Sequence, residues 1–173
     1  MTQTVTVRRF EPSDNAALTA MLHRAYAELG ERGLNFTAVD QSEEVTGARA
    51  AAGACWVMVD NGEIVASVVM TLPGNEKTLG TLTAQARVPA RVWLNQLGVD
   101  PRHRGKGYAR VMRDVGFEWS RQQGMTSVGL TTALPAEHLV AMYSGWGFAG
   151  VDEVQWPGKS YRSIVMAREL EAL

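Results

Sequence analysis

Apolar and polar residues alternate from Val5 to Phe10, which predicts a strand. Beyond it, Leu18, Met21, Leu22, Ala25 and Leu29 fall on one helical face, with Ser13 as the expected cap and Gly30 and Gly33 as the stop. A second helix carrying Val45, Ala48 and Ala52 is expected to start from a cap at Asp40, with Glu43 three residues on. Two apolar runs, ACWVMVD and EIVASVVMTL, then flank Asn61-Gly62. Both of those residues accept positive φ, as a type I′ turn requires, so the runs read as an antiparallel hairpin.

Residues 73–90 contain Pro73, Gly74, Gly80 and Pro89 and keep no period, so they are expected to form a long surface excursion over a site. A strand at Arg91–Val99 is followed by an amphipathic helix over 107–123. Its stripe is Tyr108, Val111, Met112, Val115 and Trp119. Ser127–Thr132 reads as a strand. Pro135 and Glu137 open a helix with Leu139, Met142, Tyr143 and Trp146 on one face, stopped by Gly147. Phe148–Val154 and Ser163–Glu169 are the last strands. The order βααβββαβαββ contains one strand–helix–strand crossover at 92–132, which makes those two strands parallel and leaves the rest to antiparallel pairing. The expected fold is α/β, with a mixed central sheet of about seven strands and four helices, in one domain over residues 1–173.

Apolar residues make up 46% of the 173-residue chain and charged residues 20%, a composition that supports a core and excludes a disordered chain. The longest run free of Asp, Glu, Lys and Arg is the 15 residues from Gln122 to Ala136, too short and too polar to span a bilayer. MTQTVTVRRF lacks the apolar core of a secretory signal. A lone cysteine, Cys55, rules out an internal disulfide and fits a reducing cytosol, so a cytoplasmic location is expected. Seventeen Lys and Arg against eighteen Asp and Glu leave a net charge of −1. No global field draws this chain to nucleic acid or an anionic membrane.

Charge is instead concentrated locally. Arg102, Arg104, Lys106, Arg110 and Arg113 lie between Pro101 and Arg113 with no acid among them, and Gly105 and Gly107 mark the helix start. Free N–H groups and the positive end of the helix dipole favour an anion there, and glycines let a phosphate approach the backbone. Two known phosphate loops fail on spacing. Gly105-Lys106 is followed by Gly107 rather than Ser or Thr, and Gly158-Lys159-Ser160 has Glu153 where a Walker A loop needs its first Gly. A dinucleotide fingerprint would need Gly or Ala at Arg110 and an acid at the end of the next strand.

The segment resembles the acetyl-CoA signature of the GCN5-related N-acetyltransferase (GNAT) family, Arg/Gln-x-x-Gly-x-Gly/Ala at a strand-to-helix junction. Here it reads Arg104-Gly105-Lys106-Gly107-Tyr108-Ala109 after LGVDP, and MYSGWGF is similar to the family's later landmark of an aromatic before Gly-Phe. The element order follows the family over nearly the whole chain. The resemblance implies that backbone groups of Leu97, Gly98 and Val99 pair with the pantetheine arm and hold the acetyl carbonyl. It implies that the N–H groups of Arg104, Gly105, Lys106, Gly107, Tyr108 and Ala109 cradle the pyrophosphate, and that Tyr143 serves the CoA sulfur as general acid. Ala136 and Leu139 stand where family members often carry Asn and Ala.

The implied activity is acetyl transfer from acetyl-CoA to a primary amine of a small molecule or peptide, by direct attack in a ternary complex. A non-catalytic acyl-CoA-binding regulatory module is the alternative, and a nucleic-acid-binding domain using the 102–113 cluster ranks behind both. No carboxylate lies on the strand RVWLNQLGV, so the base is left to a distant group such as Glu153 acting through water, or to solvent. Glu76 is the lone acid of residues 73–99, which favours a small or partly apolar amine over a polycation. Cys55 is expected to be a buried inert thiol and His103 a surface loop residue, and His23, His103 and His138 lack metal-ligand spacing. Phe36, Trp93, Trp146, Trp156 and Tyr161 are candidates for an apolar acceptor pocket, with core packing the commoner fate of such aromatics. A homodimer is a common assembly of the family resembled.

Overall fold

The computed structural model describes residues 4–172; residues 1–3 and 173, included in the expected single domain, lie outside them. One sheet contains β1 (Val5–Arg9), β2 (Ala54–Asp60), β3 (Glu63–Thr71), β4 (Arg91–Val99), β5 (Ser127–Ala133), β6 (Ala149–Val154) and β7 (Ser163–Glu169). Their spatial order is β1-β2-β3-β4-β5-β7-β6. The β4–β5 pair is parallel and the other pairs are antiparallel. The β2–β3 hairpin closes on Asn61 (φ 49°) and Gly62 (φ 81°), both left-handed as a type I′ turn demands.

Helices cover both faces, so the inner strands are apolar on both sides rather than alternating. Cys55 and Val57 of β2 point into a cluster with Leu18, Met21 and Leu22 of α1 (Asn15–Glu31) and Ala50 of α3 (Glu43–Ala51). Ala54, Trp56 and Met58 point the other way, into a cluster with Met112 and Phe117 of α5 (Tyr108–Gln122) and Tyr143 of α6 (Glu137–Gly145). α1 ends where Gly33 turns left-handed, with Leu34 N–H bonded to Leu29 O and Gly33 N–H to Gly30 O, each at 3.0 Å.

Several local expectations shift. Among the described residues six helices occur where four were expected, the additions being the short α2 (Thr37–Asp40) and α4 (Lys77–Leu82). The 73–90 excursion is therefore partly helical: buried Leu79 pins α4, and the Thr83 hydroxyl bonds the Asp152 carboxylate of β6. No period marks so short a helix, because one side chain anchors it. Ser13 does not cap α1; a 3-10 turn (Pro12–Asp14) precedes it, and Asp14 instead accepts from Glu11 N–H and Arg8. Ser42 rather than Asp40 caps α3, its hydroxyl accepting from Val45 N–H at 3.2 Å. Val111 of the expected α5 stripe is exposed, and Gly116 and Phe117 are buried in its place.

The parallel β4–β5 pair is short. Its register holds for Arg91–Ser127, Val92–Val128 and Trp93–Gly129 and goes no further. The Trp93 ring lies over Gly129, where an added Cβ would come within 2.6 Å of it. A Gly129→Ala substitution is therefore expected to cost about 1–3 kcal/mol through overpacking, read as a lower urea midpoint with an unchanged denaturant slope.

Candidate active site

Where β4 leaves β5, the sheet opens. The ladder between β3 and β4 slips between Ser67 and Val69, and Gln96 sits at φ 46°, the mark of a bulge in β4. Buried partners hold the bulge: Ser67 Oγ donates to Gln96 O at 2.8 Å, and Gln41 Nε2 donates to Gln96 Oε1 at 2.7 Å. On the side facing β5, β4 has no strand partner beyond Trp93. A cavity of about 820 Å³ fills the opening, lined by β4 from Trp93 to Val99 and by Leu130, Thr131 and Thr132 of β5.

One end of this cavity reaches the turn before α5. Gly105 (φ 81°) and Gly107 (φ 78°) are both left-handed, a conformation that favours glycine. The first hydrogen bond of α5 runs from Val111 N–H to Gly107 O, and the N–H groups of residues 105–110 have no acceptor among the described residues. Free N–H groups at the start of a helix favour an anion. Asp100 supports this turn: its fully buried carboxylate accepts from Arg24, from the Arg102 side chain and from Arg102 N–H. Those bonds hold the carboxyl well below the usual range.

The basic side chains there are less free than the sequence suggests. Arg102 pairs with Asp100 and Glu63, and Arg113 with Asp114. The Arg104 guanidinium donates to Glu28 and to Ala25 O on α1, which line the cavity with it, so its charge is already engaged. His103 is not a free surface residue: its ring lies 3.5 Å from the buried Asp60 carboxylate and stacks on Tyr108. The cluster is a folded corner, not an open basic face.

Two phenols also line the cavity, Tyr143 buried and Tyr26 half-buried. Tyr143, from α6, is 7% exposed and packs edge-on against Trp146 and Phe148. Burial pushes its hydroxyl far above the usual phenol range, so it stays protonated. Tyr26 of α1 donates to Leu97 O at 2.7 Å, fixing the strand beside the bulge. Leu97, Gly98 and Val99 line the cavity, as do Arg104, Gly105, Gly107, Tyr108 and Ala109 of the loop. The fold thus gathers almost all the sequence-selected residues around one space.

The far end holds residues that sequence reasoning weighed little. Glu76, just before α4, accepts from Asn95 Nδ2 at 3.1 Å. Burial raises its carboxyl, against the opposing effects of that bond and of Arg49. Arg49 of α3 and Lys159 of the β6–β7 turn also line this end, with Phe36, Trp156 and Tyr161. Glu153, named from the sequence as a distant base, is exposed on β6 and paired with Arg162 at 3.3 Å, outside the cavity. Trp146 does not line this cavity either, lying under the Arg113 guanidinium. Cys55 sits in the α1 core with its thiol pushed up to about 12 by burial. Among the described residues no group of three or more His, Cys, Asp and Glu side chains is arranged to hold a metal ion, and no helix is long and apolar enough to cross a membrane.

The split parallel strand pair, with a glycine-marked helix start at one end of the cavity, is set in a mixed α/β sheet. The chain belongs to the acetyltransferase (GNAT) family, whose model matches residues 16–148. Among curated relatives it is similar to N-acetyltransferase family 8 member 2 of Rattus norvegicus, 32% identical over 96 residues, which cover 56% of this chain and 38% of that protein. N-acetyltransferase 8 of Rattus norvegicus is 31% identical over 110 residues, covering 64% of this chain and 43% of that one. The chain thus spans well under half the length of these relatives.

The fold is shared with solved structures. The ribosomal-protein-S18-alanine N-acetyltransferase of Escherichia coli superposes with a TM-score of 0.72 at 16% identity, covering 98% of this chain and 96% of that one. Ard1 of Thermoplasma volcanium gives 0.73 at 17% identity, covering 96% and 98%. A Salmonella typhimurium structure solved with its cofactor acetyl-CoA gives 0.70 at 16% identity, covering 98% and 96%.

The Asp100 buttress yields a pH prediction. A carboxylate whose folded pKa is depressed contributes stability that is present above the ordinary carboxylate range and lost as pH falls through the folded value. Asp100→Asn is expected to cost about 1–3 kcal/mol at pH 7 through lost charge-assisted bonds. The gap in melting temperature between parent and variant should close progressively below about pH 4.

Proposed function

We propose that this protein is an acetyl-CoA-dependent N-acetyltransferase, a single domain over residues 1–173 that acts on a primary amine of a small molecule or peptide. The observation that carries the reading is the continuity of one cavity from the free N–H groups at the α5 start, along the open edge of β4, to Tyr143 and Glu76. Acetyl-CoA supplies an acetyl group activated as a thioester. Residues Arg104 to Ala109 hold its pyrophosphate chiefly through backbone N–H groups, and the open edge at Leu97, Gly98 and Val99 receives the pantetheine arm and the acetyl carbonyl.

Glu76 takes the surplus proton of the acceptor ammonium, and the freed amine attacks the acetyl carbon directly. Its raised pKa brings this carboxylate closer to the task than an exposed one. As the new C–N bond forms and the C–S bond breaks, Tyr143 donates its O–H proton to the departing sulfur, and the second proton lost from the acetylated nitrogen restores the phenol through solvent. Burial weakens the phenol as an acid, yet the same burial makes the departing sulfur more basic, so donation remains matched. Direct transfer agrees with the placement of Cys55, which lies in the core away from the cavity and offers no thiolate for an acyl-enzyme.

The test is amine-dependent release of free CoA thiol from acetyl-CoA by the purified protein. Binding of acetyl-CoA without thiol release for any amine would make the protein an acyl-CoA-binding module instead. Tyr143→Phe should lower kcat by about 10²–10⁴-fold, with acetyl-CoA affinity nearly unchanged in calorimetry. Gly107→Val should abolish most acetyl-CoA binding and also lower the melting temperature, because a β-branched residue at φ 78° is strained.

A further inference from the structure

The acceptor end of the cavity is charged in a way that a simple amine does not explain. Its ionic side chains are Arg49, Lys159 and Glu76, an excess of one positive charge. Glu28, the other carboxylate of the cavity wall, is committed to Arg104 at 3.0 Å by the phosphate loop. No ion pair joins Arg49 to Glu76 among the described residues, and the hydrogen bond of its guanidinium is to Gln41 Oε1 at 2.9 Å. Lys159 Nζ donates to Asn35 O and to the Thr37 hydroxyl, both neutral. Desolvation lowers both cations, and Arg49 lowers Lys159 further by repulsion; Tyr26, Glu76 and Tyr161 oppose the shift at Arg49, and Asp40 opposes it at Lys159.

Glu76 acts on Arg49 and Asp40 of α2 on Lys159 from a distance, but among the described residues neither carboxylate forms an ion pair with them. An anion placed between the two half-buried cations would relieve their burial and mutual repulsion. Arg49 is also held in place. Gln41, which accepts its N–H, donates to Thr46 Oγ1 and to Gln96 Oε1, each at 2.7 Å, so the guanidinium is tied to the bulge residue of β4. A side chain fixed on the wall of a cavity with N–H groups to spare is a preorganised anion reader. Beside it, the rings of Phe36 and Tyr161 lie 5.0 Å apart, and the Trp156 side chain completes an apolar wall.

We infer that the acceptor is an amine that also carries a carboxylate and an apolar body, that is, an apolar or aromatic amino acid, its carboxylate read by Arg49 and Lys159 and its ammonium facing Glu76. This rests on the N-acetyltransferase reading and narrows its acceptor class. A zwitterion places its one carboxylate between the two cations and its ammonium on Glu76, whereas a bare alkylamine brings no anion to those cations and a polyamine adds repulsion.

The test compares amino acids with their decarboxylated amines: L-phenylalanine with phenethylamine, and L-leucine with isopentylamine. Thiol release from acetyl-CoA is measured at one pH and corrected for the fraction of neutral amine. The expected result is a kcat/KM at least about 10-fold higher for the amino acid, with the ratio falling towards one in Arg49→Met and falling partly in Lys159→Met. Lys159 lies on a surface turn, so its variant keeps the comparison interpretable should Arg49→Met fail to fold. Calorimetric titration of the same pairs into the CoA-loaded protein reads the preference without turnover. Acetylation of the amines as readily as of the amino acids would overturn this inference and leave N-acetyl transfer standing. Tighter binding of the amino acids without thiol release from any amine would sustain the anion site and overturn the enzymatic reading. Equal or absent binding of both members of every pair would overturn the inference.

Discussion

The parting of β4 from β5 is the constraint on which the site depends. Parallel strands joined by a crossover helix would ordinarily stay paired along their length, burying their backbone groups in a ladder. Here the ladder stops at Trp93–Gly129, and the Trp93 ring occupies the space a side chain at 129 would need. Beyond it, the bulge at Gln96 turns β4 away while β3 continues to hold its other edge. The exposed strand edge is a cost, because an unpaired ladder attracts any extended chain. It is also a template of N–H and C=O groups for a ligand with amide bonds. The left-handed residue at Gln96 is held by bonds from Ser67 and Gln41, so the distortion is maintained by its surroundings.

Around that opening the electrostatics are divided by depth. At the α5 end backbone N–H groups are left uncommitted, while Arg102 and Arg104 are used to brace the corner through Asp100, Glu63 and Glu28. A loop that binds through its backbone needs fixed geometry more than it needs charge, and the buried Asp100 carboxylate supplies that geometry. In the middle, burial keeps Tyr26 and Tyr143 neutral. At the acceptor end, Arg49, Lys159 and Glu76 place charges of both signs on an apolar wall. The three zones share one cavity because α1, α3 and the β6–β7 turn close over the face of the sheet that the split leaves uncovered.

Much of this was legible in the amino-acid order. Periodicity and turn chemistry act over a few residues, so the Asn61-Gly62 hairpin, the β4 boundaries at Arg91 and Val99 and the stop at Gly147 follow from local sequence. The glycine spacing at 105 and 107 announced an anion site because positive φ and a helix start are local properties too. What stayed hidden depended on distance. Short α4 has no period and exists because Leu79 finds a buried niche; Ser13 lost its capping role because Arg8 and Glu11 both reach Asp14. Glu153 and Glu76 are both acids in polar segments, and nothing in either segment tells which one faces the cavity. Arg49 and Lys159 are 110 positions apart in the chain, and each reads alone as an ordinary surface cation. Sequence by itself determined the seven strands, the four longer helices, their order and the glycine-marked start of α5, since these rest on backbone preferences among neighbours. Only the tertiary structure decided which charges share the acceptor end and where β4 lets go of β5, because burial and Coulomb interaction act between groups that folding alone brings together.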